Sequence, residues 1–198
     1  MIYDETNREI KLDRELGKLD KLVIEFIGIL EKYAEYVIIS GYVSILLGRT
    51  RITEDIDIFI KEISFEQFSK LYQELEEKGF WCINAEKPES VYDYLKNCKA
   101  VRFALEGTSV PNFEVGFPKR EIDSETFGDF ITVITNNVKL KISSLERHIA
   151  FKRYYLESDK DVEDSMHIEE IFKGKIDYEK VNKLRKSIEL IKRDEENG

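Results

Sequence analysis

Apolar residues recur at Leu16, Leu19, Leu22, Val23, Phe26, Ile27 and Leu30, with charged residues between them. A period of 3.6 gathers these positions on one stripe, so an amphipathic helix is expected within residues 8–33. Tyr36–Ser40 is a short apolar run that stops at Gly41, the form of a buried strand, and Tyr42–Leu47 continues as a helix closed by Gly48. Ile56–Ile60 reads as a second strand. The helix expected over Phe65–Lys78 starts at the N-cap Ser64 and ends at Gly79. Phe80, Trp81 and Ile83 are expected in the core, on a strand over 80–83. Val101–Leu105 and Asn112–Phe117 alternate around Gly107 and Pro111, which predicts a strand pair. Phe130–Ile142 holds one or two further strands, with Asn136-Asn137 as the turn. Beyond residue 143 the pattern is helical only, near 144–157, 160–173 and 177–193. The expected class is α+β: a mixed sheet flanked by helices over residues 1–142, then a C-terminal helical bundle over 143–198, without internal repeats.

Composition narrows the setting. A chain of 198 residues with 42% hydrophobic content can bury a core, despite 36% charged residues. Cys82 and Cys98 make no disulfide framework and lack metal spacing, which points to a reducing, cytoplasmic environment. The N-terminus is charged from the start, unlike a signal peptide. The longest uncharged stretch, Tyr36–Gly48, spans 13 residues, too few to cross a bilayer, so no membrane partner is expected. The 31 basic against 40 acidic residues give a net charge of −9, which argues against broad coating by nucleic acid. Lys139, Lys141, Arg147, Lys152 and Arg153 nevertheless form a local basic cluster in the sequence.

The chemistry concentrates in residues 40–59. Residues two apart on a strand share a face, so Asp55 and Asp57 project together while Ile56, Ile58 and Ile60 face the core. Two adjacent carboxylates repel unless a cation neutralises them, and a hard cation such as Mg²⁺ takes carboxylate and phosphate oxygens together. Ser40-Gly41 stands where a strand meets a helix, a small-residue turn whose backbone can approach phosphate. Together these are the parts of a two-metal nucleotidyl-transfer site. A third carboxylate is expected on a neighbouring strand. Glu114, alternating with Phe113 and Val115, is the first candidate, and Glu106, at the turn, is the second. His148 and His167 lack metal spacing and read as solvated helix residues. The basic residues of the last helix read as a solvated face, with contact to RNA as the alternative.

These motifs resemble the nucleotidyltransferase superfamily, which includes DNA polymerase beta. More narrowly they resemble the AbiEii-type family of toxin–antitoxin and phage-defence systems. Gly48, Arg51, Thr53, Asp55 and Asp57 match that family's Gly-x-x-Arg-x-Ser/Thr-x-Asp-h-Asp pattern, where h is apolar. Leu145-Glu146, Ala150 and Lys152 match its Leu-Glu-x-x-x-Ala-x-Lys helix, and Lys160-Asp161 with Asp164 its Lys-Asp-x-x-Asp segment. Ser40 departs from the family, which has glycine there. The resemblance implies a nucleotidyltransferase fold that transfers a nucleoside monophosphate from an NTP to an acceptor. It implies metal (Mg²⁺, with Mn²⁺ as a substitute) at Asp55, Asp57 and Glu114. Ser40, Gly41, Arg51, Thr53 and Lys152 would bind the nucleotide, and Asp161 would position or deprotonate the acceptor. It further implies an RNA acceptor such as a tRNA 3′ end and a partner antitoxin. The alternatives are a non-catalytic nucleotide-binding protein of the same fold and a small-molecule, antibiotic-type nucleotidyltransferase.

Overall fold

The structure, a computed structural model, describes residues 1–197. Among them the strands are β1 (Ile2–Asp4), β2 (Glu9–Leu12), β3 (Tyr36–Ile39), β4 (Asp55–Ile60), β5 (Phe80–Cys82), β6 (Val101–Leu105), β7 (Asn112–Gly116), β8 (Phe130–Thr135) and β9 (Val138–Ser143). The helices are α1 (Lys18–Leu30), α2 (Gly41–Leu46), α3 (Phe65–Glu77), α4 (Pro88–Lys96), α5 (Glu121–Ser124), α6 (Leu145–Phe151), α7 (Asp159–Ile171) and α8 (Tyr178–Asn197). One mixed sheet runs β1-β2-β8-β9-β3-β4-β7-β6-β5. The expected α+β architecture, with a large mixed sheet and helices, is therefore observed. No helix among the described residues is long and apolar enough to cross a membrane.

One face of the sheet is the core. Ile56, Ile58 and Ile60 are buried there at alternate positions of β4, and Phe113 and Val115 continue the layer on β7. The α1 stripe of Val23, Phe26, Ile27 and Leu30 covers it. Phe26 stacks on Phe113 at 3.9 Å between ring centroids and meets Phe80 edge-on at 5.3 Å. The expected cap of α3 is present: Ser64 accepts from the Gln67 backbone N–H while the Gln67 side chain returns to the Ser64 backbone. Asn136 and Asn137, both at positive φ, make the β8–β9 turn.

The helix expected within residues 8–33 begins only at Lys18. Residues 2–12 instead form the antiparallel hairpin β1–β2, with β2 parallel to β8. Glu9-Ile10-Lys11-Leu12 alternates at a period of two and buries Ile10 completely, a strand signal too short to stand out beside the helical stripe. Helix α4 was not anticipated, although Pro88 sits in its first turn and Val91 and Leu95 bury one face. Trp81 is not core. The alternation of β5 turns it outward, 40% exposed, where its indole N–H donates to the Leu105 and Thr108 carbonyls.

The C-terminal helices pack back on the sheet through charge as well as apolar contact. Helix α6 runs on as a π-helical segment, Lys152–Leu156, and α8 buries Val181, Leu184 and Ile188. Asp164 of α7 is fully buried. It receives Arg49 at 2.7 Å, Lys152 at 3.1 Å and Arg51 at 3.3 Å, so one carboxylate ties the loop after α2, the end of α6 and α7 together. Removing one partner from such a group strands buried charge. Asp164→Ala is expected to lower unfolding free energy by about 3–5 kcal/mol in urea denaturation. Lys70→Ala, in the exposed Lys70–Glu66 pair, should change it by less than about 0.5 kcal/mol. A loss for Asp164→Ala no larger than that of Lys70→Ala would contradict the anchoring role.

Candidate active site

The site lies on the face of the sheet opposite the α1 core. In the register, Asp57 is opposite Ile39 on antiparallel β3 and opposite Glu114 on parallel β7. Asp55, Asp57 and Glu114 each bring a carboxylate oxygen to within 4.8 Å of the others. Glu106, the second candidate, falls in the turn after β6 and is not part of this group. The donor set is entirely hard oxygen, which suits a divalent cation such as Mg²⁺ or Mn²⁺ and does not suit a soft one.

Burial, followed by the charges of Asp55 and Glu114, pushes the Asp57 carboxyl up to about 6. A hydrogen bond from the Ser40 side chain and the positive charge of Lys152 oppose that rise. Thr53 supports Asp55, its hydroxyl lying 2.9 Å from the Asp55 carbonyl and 3.3 Å from the Asp55 carboxylate. Arg102 of β6 reaches Glu114, Nε to Oε2 at 2.9 Å.

The turn from β3 into α2 is unusual in its backbone. Ser40 has φ 58° and ψ −138°, a region that glycine occupies with little strain and serine does not. That is the physical counterpart of the departure at Ser40 noted in the sequence. Gly41 has a separate reason to lack a side chain. A Cβ there would stand 2.0 Å from Arg51 Nη2, so the guanidinium lies directly against the turn, held from behind by Asp164.

Lys152 is buried among carboxylates. It is 2% exposed, with Nζ 2.6 Å from Asp161 and 3.1 Å from Asp164. Burial works against ionised Asp161, but hydrogen bonds from Lys152 and Ser158 hold its carboxyl below the usual range. Asp161 thus meets Lys152 and does not join the three-carboxylate group. The supposed basic cluster is dispersed. Arg147 is buried against the Ile122 carbonyl and the Glu125 carboxylate, and Arg153 pairs with Glu169.

Two adjoining cavities open on this face, and Asp57 lines both. The first, about 210 Å³, has Ser40, His148, Phe151 and Lys152 on its wall. The second, about 400 Å³, has Glu114, Cys98, Lys119 and Glu195. Arg120, which lies over the Tyr155 ring at 4.5 Å, borders each of them. Arg51 and Thr53 line neither cavity; they act on Gly41 and Asp55 from behind. His148, expected in solvent, is 2% exposed, with Nε2 2.9 Å from the Ser44 hydroxyl and Nδ1 unpartnered. Burial, reinforced by Lys152 and Arg51, pushes it down to about 3, so the ring is neutral at pH 7. A histidine on the cavity wall could have been suspected from its place one turn before Lys152 on a helix, but that spacing alone marks only a shared face.

No protein-family model matches the chain, and no curated protein matches it. Solved structures do. The chain is similar to the antibiotic-resistance factor ANT(2")-Ia in complex with adenylyl-2"-tobramycin, with a TM-score of 0.56, 16% identity, and 87% of this chain and 98% of that one covered. It is similar to the lincosamide antibiotic adenylyltransferase LnuA, lincomycin-bound, with a TM-score of 0.52, 16% identity, and 80% of this chain and 99% of that one covered. An antigenic nucleotidyltransferase-like protein from Paracoccidioides brasiliensis aligns with a TM-score of 0.50, 16% identity, and 88% of each chain. The chain has the nucleotidyltransferase fold.

The crowding at Asp57 has a consequence for stability. Its carboxyl is raised from 3.8 to about 6, so the native state binds that proton more tightly than the unfolded chain does. The stabilisation is complete below pH 4 and is lost as pH rises through 6, leaving unrelieved repulsion at pH 8. Asp57→Asn is therefore expected to stabilise the metal-free protein at pH 8 by about 1 kcal/mol, a discounted figure because the side chain reaches the open cleft. The gain should vanish near pH 4. Thermal melts at the two pH values check this, and a destabilised mutant at pH 8 would contradict it.

Proposed function

We propose that the protein is a metal-dependent nucleotidyltransferase that moves a nucleoside monophosphate from an NTP to an acceptor hydroxyl. The observation that carries this reading is the group of three carboxylates, of which Asp57 lines both adjoining cavities and Glu114 the second. Asp55, Asp57 and Glu114 would hold the cation, Mg²⁺ with Mn²⁺ as a substitute, and the reading extends to a two-metal arrangement. Divalent cations bound there supply positive charge to the triphosphate and to the departing pyrophosphate. The acceptor hydroxyl oxygen would form a bond to the α-phosphorus and give up its proton to solvent water, while the bond from that phosphorus to the β-phosphate oxygen breaks and pyrophosphate leaves.

The chain's own residues position these groups. Ser40, on the wall of the smaller cavity, would face the phosphates with the backbone at Gly41 beside it, and Arg51 would add its charge from behind the turn. Lys152 neutralises charge that develops in the transition state, as a compact cation. Asp161 is assigned a positioning role, aiming Lys152 rather than touching the acceptor. Thr53 fixes Asp55. In this scheme the core over 1–142 holds the metal and the helical part over 143–198 supplies Lys152, His148 and the far wall of the cleft.

The acceptor reading has two branches. The motif match to AbiEii-type proteins supports an RNA acceptor such as a tRNA 3′ end and a partner antitoxin. The likeness to structures holding adenylyl-tobramycin and lincomycin supports a small-molecule acceptor instead. Transfer of label from each α-³²P-NTP, with Mg²⁺, to tRNA and to aminoglycoside or lincosamide acceptors separates them. We expect transfer to one class only, and Asp57→Asn should reduce it by roughly a thousandfold. Lys152→Ala should also lower the rate, whereas full activity in Asp57→Asn would overturn the metal assignment. Nucleotide binding without transfer to any acceptor would favour a non-catalytic nucleotide-binding protein.

A further inference from the structure

The three carboxylates are not equivalent. Asp55 and Asp57 make no ion pair among the described residues; their supports are the neutral hydroxyl of Thr53 and the side chain of Ser40. Glu114 alone is paired with a cation. Arg102 is its cross-strand partner in the antiparallel β6–β7 register, which puts both side chains on one face. Arg102 Nε donates to Glu114 Oε2 at 2.9 Å, with the arginine side chain 54% exposed and the glutamate 26%. A guanidinium holds a carboxylate through directed, charge-assisted N–H bonds. An oxygen engaged by Arg102 must be given up, or shared at a cost in repulsion, before it can ligate a second cation.

Resting on the reading of this cluster as a metal site, we propose that Arg102 is a positioning residue that holds Glu114 in the metal-free protein and competes with the cation for it. Arg102 keeps the third ligand aimed at the cluster and lowers the cluster's affinity for bare metal. The site then fills when a triphosphate brings further oxygens to the cation, so metal and nucleotide arrive together. Exposure of the pair bounds the effect. Ion pairs of this kind are worth up to about 1 kcal/mol, which is about fivefold in a dissociation constant.

The test is Mn²⁺ affinity of the full chain without nucleotide, read from free Mn²⁺ by electron paramagnetic resonance. Arg102→Ala is expected to tighten Mn²⁺ binding by about two- to fivefold, Arg102→Lys to stay nearer the wild-type value, and Glu114→Gln to weaken binding. In the Glu114→Gln background, Arg102→Ala should no longer tighten binding, because the competition has been removed. Unchanged or weaker binding in Arg102→Ala, with Glu114→Gln still weakening it, would overturn the proposal and leave the metal site standing. Tightening that persists undiminished without Glu114 would overturn it too, since the effect would then be a general field. No change in Glu114→Gln would remove the metal reading at Glu114 and this proposal with it.

Discussion

Backbone pairing forces three carboxylates together, and the rest of the site answers to that constraint. Asp57 and Glu114 are held in register by parallel strands, and Asp55 shares the face of Asp57 because it lies two residues away. Their mutual repulsion cannot relax by side-chain movement alone, since strand register is set by the apolar layer of Ile56, Ile58, Phe113 and Val115 beneath. Each carboxylate has a different compensation: a hydroxyl for Asp55, Ser40 and the field of Lys152 for Asp57, and a guanidinium for Glu114. Under the proposed function, stability and activity would oppose each other at Asp57, a common arrangement where an active site is built from strained or crowded groups.

A second charge assembly determines how the helical part meets the sheet. Arg49, Arg51 and Lys152 converge on Asp164, and Asp161 completes the shell around Lys152. This ties the loop that leads into β4 to α7, and Arg51 in turn presses on Gly41, so the conformation of the β3–α2 turn depends on a residue more than a hundred positions later. The backbone strain at Ser40 is tolerated in the same neighbourhood, where surrounding contacts over-determine the turn. The cavity beside Asp57 is therefore walled by elements that one buried carboxylate keeps in place.

Much of this was legible in the sequence. The alternation of Asp55-Ile-Asp57-Ile assigns faces directly, and the same logic applied to Phe113-Glu114-Val115 placed the third carboxylate. The β3, β4, β6, β7 and α3 elements follow from short-range periodicity and capping, which residues report locally. What stayed hidden depends on distant partners. The strand at Glu9–Leu12 exists because β8 pairs with it, and Trp81 faces outward because of strand phase, not hydrophobicity. The burial of His148 and Lys152 comes from the way α6 lies against α2 and α7, and the Arg102–Glu114 pair from cross-strand register. No local pattern marks either. Lys139, Lys141, Arg147, Lys152 and Arg153 form a run in sequence but not a patch, because the fold gives several of them separate carboxylate partners.

The proposed function stands on one point, that the Asp55, Asp57 and Glu114 oxygens form a divalent-cation site. The most direct measurement is anomalous diffraction at the manganese edge from crystals grown with Mn²⁺ and a non-hydrolysable NTP analogue. The expected result is an anomalous peak bounded by these three carboxylates, with phosphate oxygens of the analogue completing its shell. Density for the analogue elsewhere, with no manganese peak between the three carboxylates, would contradict it.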